Sequence, residues 1–190
     1  MDHRNEDALR FLATRRSHPP KLMTGPGPDH DELTRLLTLA ARAPDHGKLE
    51  PWRFVVLGRQ TLDALAPVLH RAVLEDGQDE AAASKAASAF ASPVIVMVVH
   101  SPVDSPKVPE WEQVLSAGAV CLGLVNAALA SGWGAAWLTG FAALNRDFAQ
   151  AHLGLAAHER VAGMIHIGTC GAKPPERPRP DIAAKTEWRP

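Results

Sequence analysis

The sequence is short of the features that mark several large classes of protein. Its 190 residues contain two cysteines and no tyrosine, and the formal net charge is −1. Without an excess of positive charge, no long-range field attracts nucleic acid or a membrane surface, so we expect neither as a partner. The first seven residues are charged and lack the apolar segment of a signal peptide, which favours a cytoplasmic protein. Cys121 and Cys170 lie in apolar surroundings and are predicted to be free thiols.

Motifs of metal, nucleotide and hydrolase sites are also missing. Neither His-x-x-His nor Cys-x-x-Cys occurs, so we predict no zinc site. Gly132-x-Gly134 follows a helical pattern and lacks the third glycine of a dinucleotide-binding fingerprint, and there is no Walker motif. Gly-x-Ser-x-Gly, a common hydrolase signal, is absent as well. A Rossmann site and a serine hydrolase site are therefore not supported.

The longest stretch without a charged residue runs from Gln113 to Asn145. Its apolar residues recur every three or four positions up to Leu129, which predicts a buried helix that starts at Pro109 and is packed on several sides. Glycines end this helix, and residues 135–140 then read as a short buried strand. The run is long enough to span a membrane, but the glycine break and the lack of a basic flank favour a core helix. Its apolar surface exceeds what one small chain can cover, which predicts a dimer.

The rest of the chain predicts one domain over residues 1–190 that ends in an extended, proline-rich tail at about 171–190. Runs rich in β-branched residues predict strands at residues 52–57, 93–100 and 160–168. Apolar spacing predicts helices at residues 7–16, after a cap at Asp29 or Asp31, and at residues 61–74, 79–90 and 145–152. Strands and helices alternate loosely, which indicates a layered sheet with helices on its faces.

Three groups of polar residues are candidates for binding. Arg15-Arg16-Ser17 follows the first helix, and Arg177 and Arg179 lie in the tail; paired guanidinium groups suit phosphate. Arg42 and His46 lie in a loop before Trp52, where hydrogen bonds could hold a polar ring system. The alternatives are solvated charges for the arginine pairs and a helix-ending turn with a capped histidine for the loop.

Several of these segments together resemble the flavin-dependent nitroreductase family. The resemblance rests on Arg15-Arg16-Ser17, Ala43-Pro44-Asp45-His46…Pro51-Trp52, Ser116-Ala117-Gly118 and Gly132-x-Gly134-x-x-Trp137, in this order. Lys107-Val108-Pro109-x-Trp111-Glu112-Gln113 and the short chain are similar to its compact YdjA-like branch. The family usually has a further arginine after Arg-Arg-Ser, where this chain has Lys21, and many relatives have Arg or Ser in place of Leu138.

The resemblance implies an α+β fold in which helices flank a mixed central sheet, and an intertwined homodimer with FMN in each of two interface clefts. It assigns Arg15, Arg16 and Ser17 to the phosphate and ribityl end, with Arg177 or Arg179 completing the phosphate pocket. It assigns Arg42 and His46 to the flavin of the partner chain. The isoalloxazine would be lined by Trp137, Leu138 and Thr139. NAD(P)H would bind at the helix end formed by Ala127, Ala128, Leu129, Ala130, Ser131 and Gly132.

The activity implied by the resemblance is that of an FMN-dependent NAD(P)H oxidoreductase. It would work in two half-reactions, a ping-pong scheme, with a nitroaromatic or quinone as the electron acceptor. Because the cofactor carries the chemistry, no catalytic side chain is assigned. Two alternatives stay open: a flavin-binding or flavin-handling protein without fast turnover of organic acceptors, and a flavin-free dimeric interaction protein on the same scaffold.

Overall fold

A computed structural model describes residues 4–172 and 174–189. Residues 1–3 of the charged N-terminus, and Lys173 and Pro190 of the predicted proline-rich tail, lie outside this part of the chain. The strands are β1 Trp52–Gly58, β2 Val94–His100, β3 Gly134–Leu138 and β4 Arg160–Gly168. The α-helices are α1 Glu6–Thr14, α2 His30–Ala40, α3 Arg59–Glu75, α4 Glu80–Ser88, α5 Glu110–Ala130, α6 Phe141–Leu144 and α7 Arg146–Leu153.

The four strands form one sheet in the order β1-β2-β4-β3. Each of the three neighbouring pairs is antiparallel. The expected α+β class is therefore right, but the expected mixture of parallel and antiparallel pairs does not occur among the described strands. All seven residues of β2 are buried, in keeping with its unbroken apolar run and its place inside the sheet.

Each face of the sheet carries its own hydrophobic core, because successive strand residues point to opposite faces. Ile95 and Met97 of β2 pack in a core with residues of α3, α4 and α7 on one face, including Leu69 and Phe148. On the other face, Val96 and Val98 of β2 pack with α2 and α5, and Leu36, Leu124, Ile165 and Ile167 belong to the same cluster. Fully burying an aliphatic side chain of this size contributes about 1.5–3 kcal/mol.

Helix α5 is buried on one side only. Ala117, Val120 and Leu124 are fully buried against the sheet, whereas Trp111 is 63% and Leu115 is 62% exposed. The prediction of a helix packed on several sides is therefore wrong for the single chain, because apolar spacing cannot distinguish a core from an uncovered surface. Among the described residues α5 is the one helix long and apolar enough to cross a membrane, and half of its apolar segment is buried in the fold.

Most element boundaries follow from the capping residues. Asp29 and Glu32 form a capping box at the start of α2, and Pro109 is the residue that precedes α5. Strand β4 has the bounds that the sequence predicts. Both cysteines are free; Cys121 is buried as expected, whereas Cys170 is half-buried. Helix α6 is absent from the sequence predictions because four residues carry no detectable period.

Candidate functional site

The two arginine pairs that are far apart in sequence meet in one pocket. Its volume is about 190 Å³, and its walls are Arg15, Arg16, Ser17, Arg177 and Arg179. Helix α1 ends at Thr14 because Arg15 has extended backbone angles. His18 N then donates to Ala135 O at 2.9 Å, which holds this segment on the edge of β3. The fold thus places the end of α1 and the C-terminal tail side by side.

Positive charge is poorly balanced in this arginine pocket. The Nε atom of Arg15 is buried and has no hydrogen-bond partner, while its Nη2 donates to Ser17 Oγ at 3.2 Å. Burial, followed by the charges of Arg179 and Arg16, lowers the pKa of the Arg15 guanidinium. Among the described residues, Glu176 is the carboxylate that pairs with these arginines. Such an excess of fixed donors over acceptors fits a phosphate.

An open cleft of about 470 Å³ adjoins the arginine pocket and shares Arg15 and Ser17 with it. Its other walls are Leu122, Val125, Trp137 and Thr139. The Trp137 ring can occupy its place because β4 has Gly163 beside it, where any Cβ would clash with the indole. A planar apolar group with an anionic tail would have its ring beside Trp137 and its charge among the arginines. These residues therefore fit a flavin mononucleotide.

Leu122 and Val125 were not predicted as site residues. They lie three positions apart on α5 and so share one face of the helix. Their only sequence signal is their place in the apolar pattern, which identifies a helix face but not the ligand beside it.

Leu138 does not line the cleft beside Trp137. It lies on a separate cavity of about 80 Å³ whose walls include Thr139, Met164 and His166. The physical reason is the alternation of strand residues, which sends the neighbour of Trp137 to the opposite face of the sheet. The structure thus does not bring the Leu138 side chain to the cleft, and its assignment to the flavin ring stays a prediction.

Arg42 and His46 do not line the arginine pocket or the cleft of the same chain. Their loop is fixed to the first half of α5, where His46 Nδ1 lies 2.7 Å from Glu112 Oε2. Ser116 Oγ donates to Pro44 O at 2.8 Å. The loop also holds Lys48 and Glu50 at positive φ, 54° and 49°, an uncommon state for residues with a side chain. The assignment of Arg42 and His46 to the partner's flavin stays a prediction.

The segment expected to bind NAD(P)H is the last turn of α5 and its cap. Ala127 and Ala128 are buried, and Ser131 N donates back to Ala127 O at 3.0 Å. None of the five described cavities includes a residue from Ala127 to Gly132. The structure therefore does not bring this segment to the cleft. Within the described residues, no group of three His, Cys, Asp or Glu residues could hold a metal ion.

Comparison with known proteins identifies the family. The model of the nitroreductase family matches residues 12–169. A Haemophilus influenzae protein named "Putative NAD(P)H nitroreductase" is 39% identical over 166 residues, which cover 86% of this chain and 88% of the relative. The similarly named YdjA of Escherichia coli K12 is 33% identical over 164 residues, with the same coverage. The resemblance to the YdjA-like branch is thereby confirmed.

Solved structures have the same fold. A nitroreductase-like protein from Bacillus cereus has a TM-score of 0.79 and 24% identity, and the match covers 100% of this chain and 98% of that one. A Bacteroides fragilis nitroreductase with bound FMN has a TM-score of 0.70 and 20% identity, covering 93% and 96%. The fold class and the predicted type of enzyme, an oxidoreductase, are confirmed. The chain belongs to the nitroreductase family.

Proposed function

We propose that this protein is an FMN-dependent NAD(P)H oxidoreductase. The observation that carries the proposal is the arginine pocket, which opens into the cleft beside Trp137 through Arg15 and Ser17. Two further facts support it: the curated relatives are named NAD(P)H nitroreductases, and a solved structure of the same fold contains FMN. When bound, the flavin supplies two-electron transfer from a nicotinamide to an acceptor.

The chain's own residues hold and orient the cofactor. Arg15 and Arg16 donate to the phosphate, and the tail contributes the guanidinium of Arg177 or Arg179. The described side-chain contacts favour Arg177, because Arg179 Nη2 is paired with Glu176 Oε1 at 2.8 Å and no side-chain partner of Arg177 occurs among the described residues. At the other end, the apolar walls of the cleft keep water from one side of the ring system.

A second copy of the chain completes the site. The exposed apolar side chains of α5 form one surface, defined by Trp111, Val114, Leu115 and Leu122 and called the α5 face below. An exposed apolar surface of this kind favours association, and a two-fold axis would repeat each contact. The loop with Arg42 and His46 is anchored next to this face through Glu112 and Ser116. Arg42 and His46 would thereby approach the flavin of the partner.

The proposed reaction is ping-pong, with a nitroaromatic or quinone as the acceptor. Both substrates would use one cleft in turn, since the described chain has one cleft next to the arginine pocket. Double-reciprocal plots of rate against NAD(P)H at several acceptor concentrations should then be parallel. Intersecting lines would mean that both substrates are bound together, which the single-cleft proposal does not allow.

The cofactor is tested first on purified protein. We expect a flavin absorption spectrum, and release of FMN rather than FAD or riboflavin on denaturation. A protein that neither contains FMN nor takes it up from solution would contradict the proposal. Flavin that is bound but not turned over with either nicotinamide and a panel of nitro and quinone acceptors would favour the alternative of a flavin-handling protein.

A further inference from the structure

Glu176 occupies donors of the arginine pocket with its own carboxylate. Its Oε1 atom accepts from Arg16 Nη1 at 3.3 Å and from the backbone N of Arg177 at 2.9 Å. The same atom forms an ion pair with Arg179 Nη2 at 2.8 Å. The pKa of Glu176 is lowered, first by the hydrogen bond from the backbone N of Arg177 and then by the charges of Arg179 and Arg16. Burial acts in the opposite direction but is outweighed. The carboxylate is therefore charged at neutral pH and takes up donors that a phosphate would need.

The arginine and the carboxylate differ in how firmly they are held. The side chain of Arg16 is 15% exposed, whereas that of Glu176 is 60% exposed. Arg16 Nη1 also donates to Pro175 O at 2.6 Å, so the tail keeps its place when the carboxylate turns into water. Glu176 can thus leave the arginines without unfolding the pocket.

A phosphate and a carboxylate on the same guanidinium groups repel each other. A bound phosphate must therefore displace Glu176 from Arg16 and Arg179 or share them at a cost in affinity. Arg15 is different: it lines the pocket, and no carboxylate of the described residues forms an ion pair with it. A phosphate can thus enter at Arg15 before Glu176 has left.

We propose that Glu176 is an internal competitor for the flavin phosphate and so sets how tightly FMN is held. The inference rests on the proposed function, because it takes the arginine pocket as the phosphate site. The arginine pocket is otherwise interpreted from its basic residues alone, whereas Glu176 is an acidic residue that weakens FMN binding there. A cofactor that lacks the phosphate would not meet this competition.

The test is the isosteric change Glu176→Gln, which removes the charge and keeps the shape. The dissociation constants of FMN and riboflavin are measured for apoprotein by quenching of flavin fluorescence. We expect FMN to bind about two- to tenfold more tightly than to wild type, a range typical of one or two exposed ion pairs. Riboflavin should bind equally to both proteins, and added salt should reduce the difference for FMN.

Glu187→Gln is the matched control, because Glu187 is in the same tail and pairs with Arg189 Nε at 2.9 Å, outside the pocket. It makes the same change in net charge and should leave FMN affinity unchanged. Unchanged or weaker FMN binding by Glu176→Gln would overturn the inference, since a carboxylate that only positions the arginines would give weaker binding. If wild type binds no FMN, the proposed function falls as well, so the two failures are distinguishable.

Discussion

Arg16 and His46 are both predicted flavin ligands, and the chain surrounds them in different ways. Arg16 lies in a pocket lined by residues from both ends of the chain, and its side chain is 15% exposed. His46 is 61% exposed and lines neither the arginine pocket nor the adjoining cleft. Both are nevertheless held by hydrogen bonds, Arg16 to Pro175 O and His46 to Glu112.

The difference separates two kinds of site residue. Around Arg16, residues of one chain line a pocket, so the proposed phosphate site does not need a second chain. His46 lines no such pocket in its own chain, and it contacts Glu112 next to the exposed α5 face. A fixed polar group on an open surface beside exposed apolar residues suits a function at an interface. The comparison therefore predicts that Arg16 binds the FMN of its own chain and that His46 contacts the FMN of the partner chain.

The largest expected effect comes from placing a charge on the α5 face. Leu115 is 62% exposed, and in the proposed dimer it is buried. Leu115→Glu would lose about 1.5–3 kcal/mol of apolar burial and would also bury a carboxylate. We therefore expect the dissociation constant of the dimer to rise at least about a hundredfold. Analytical ultracentrifugation measures the mass, and flavin content is measured on the same samples.

Leu144→Glu is the control for that change, because Leu144 is 71% exposed and belongs to α6, which packs on the opposite face of the sheet from α5. It should remain dimeric and retain FMN. A monomeric Leu115→Glu protein that binds FMN normally would break the comparison, since the site would then need one chain only. A dimer that survives the charge would place the interface elsewhere.

The next effect is the loss of one phosphate ligand. Arg16→Ala removes a charge-assisted hydrogen bond, for which about 2–3 kcal/mol is typical. We expect the dissociation constant of FMN to rise by a factor of about 30 to 150, and riboflavin binding to change little. Isothermal titration calorimetry with FMN and with riboflavin measures the two dissociation constants.

Arg189→Ala makes the same change at a residue of the tail that lies outside the pocket, and it should bind FMN like wild type. The same titrations apply to Arg15, Arg177 and Arg179, which identifies the tail arginine that matters. Unchanged FMN affinity in all four single variants would remove the arginine pocket as the phosphate site.

How far sequence alone reaches differs between fold and site. Strand β4 was predicted with its observed bounds because its β-branched residues and flanking turns are local signals. Residue chemistry suggested that each arginine pair suits phosphate, and the family resemblance joined the two pairs in one pocket. The contact of Arg16 with Glu176 across 160 positions depends on tertiary structure. The exposure of Leu115 was missed, because an apolar helix face has the same pattern in a core and in an interface. Leu138 lines another cavity than Trp137, a separation that strand alternation alone would have predicted.

Mixed dimers test the comparison between Arg16 and His46 directly. Each single change, Arg16→Ala or His46→Ala, weakens both sites of a homodimer. In a heterodimer with one variant of each kind, both defects fall on the same cleft if the two residues act on opposite chains. Co-expression with two tags should then recover about one normal FMN site per dimer. Heterodimers with two weakened sites would mean that Arg16 and His46 serve the same chain's cleft.

The smallest expected effect concerns the residue that orients His46. For Nδ1 to donate to Glu112 Oε2 at 2.7 Å, this nitrogen must carry the proton, so the contact favours the Nδ1–H tautomer of His46. Glu112→Gln can still accept through its amide oxygen but loses the charge, so the ring is held less firmly. We expect FMN affinity to fall by a factor of about two to five, and the ¹⁵N shifts of the His46 ring to report a mixture of tautomers.

Glu110→Gln is the control for Glu112, because both carboxylates lie in the first turn of α5 and complement its helix dipole equally. A loss of affinity shared by the two variants would indicate a weakened helix rather than a reoriented His46. The tautomer signal is independent of the flavin and should change in Glu112→Gln only. If it changes while FMN affinity does not, Glu112 orients His46 but His46 does not bind the cofactor.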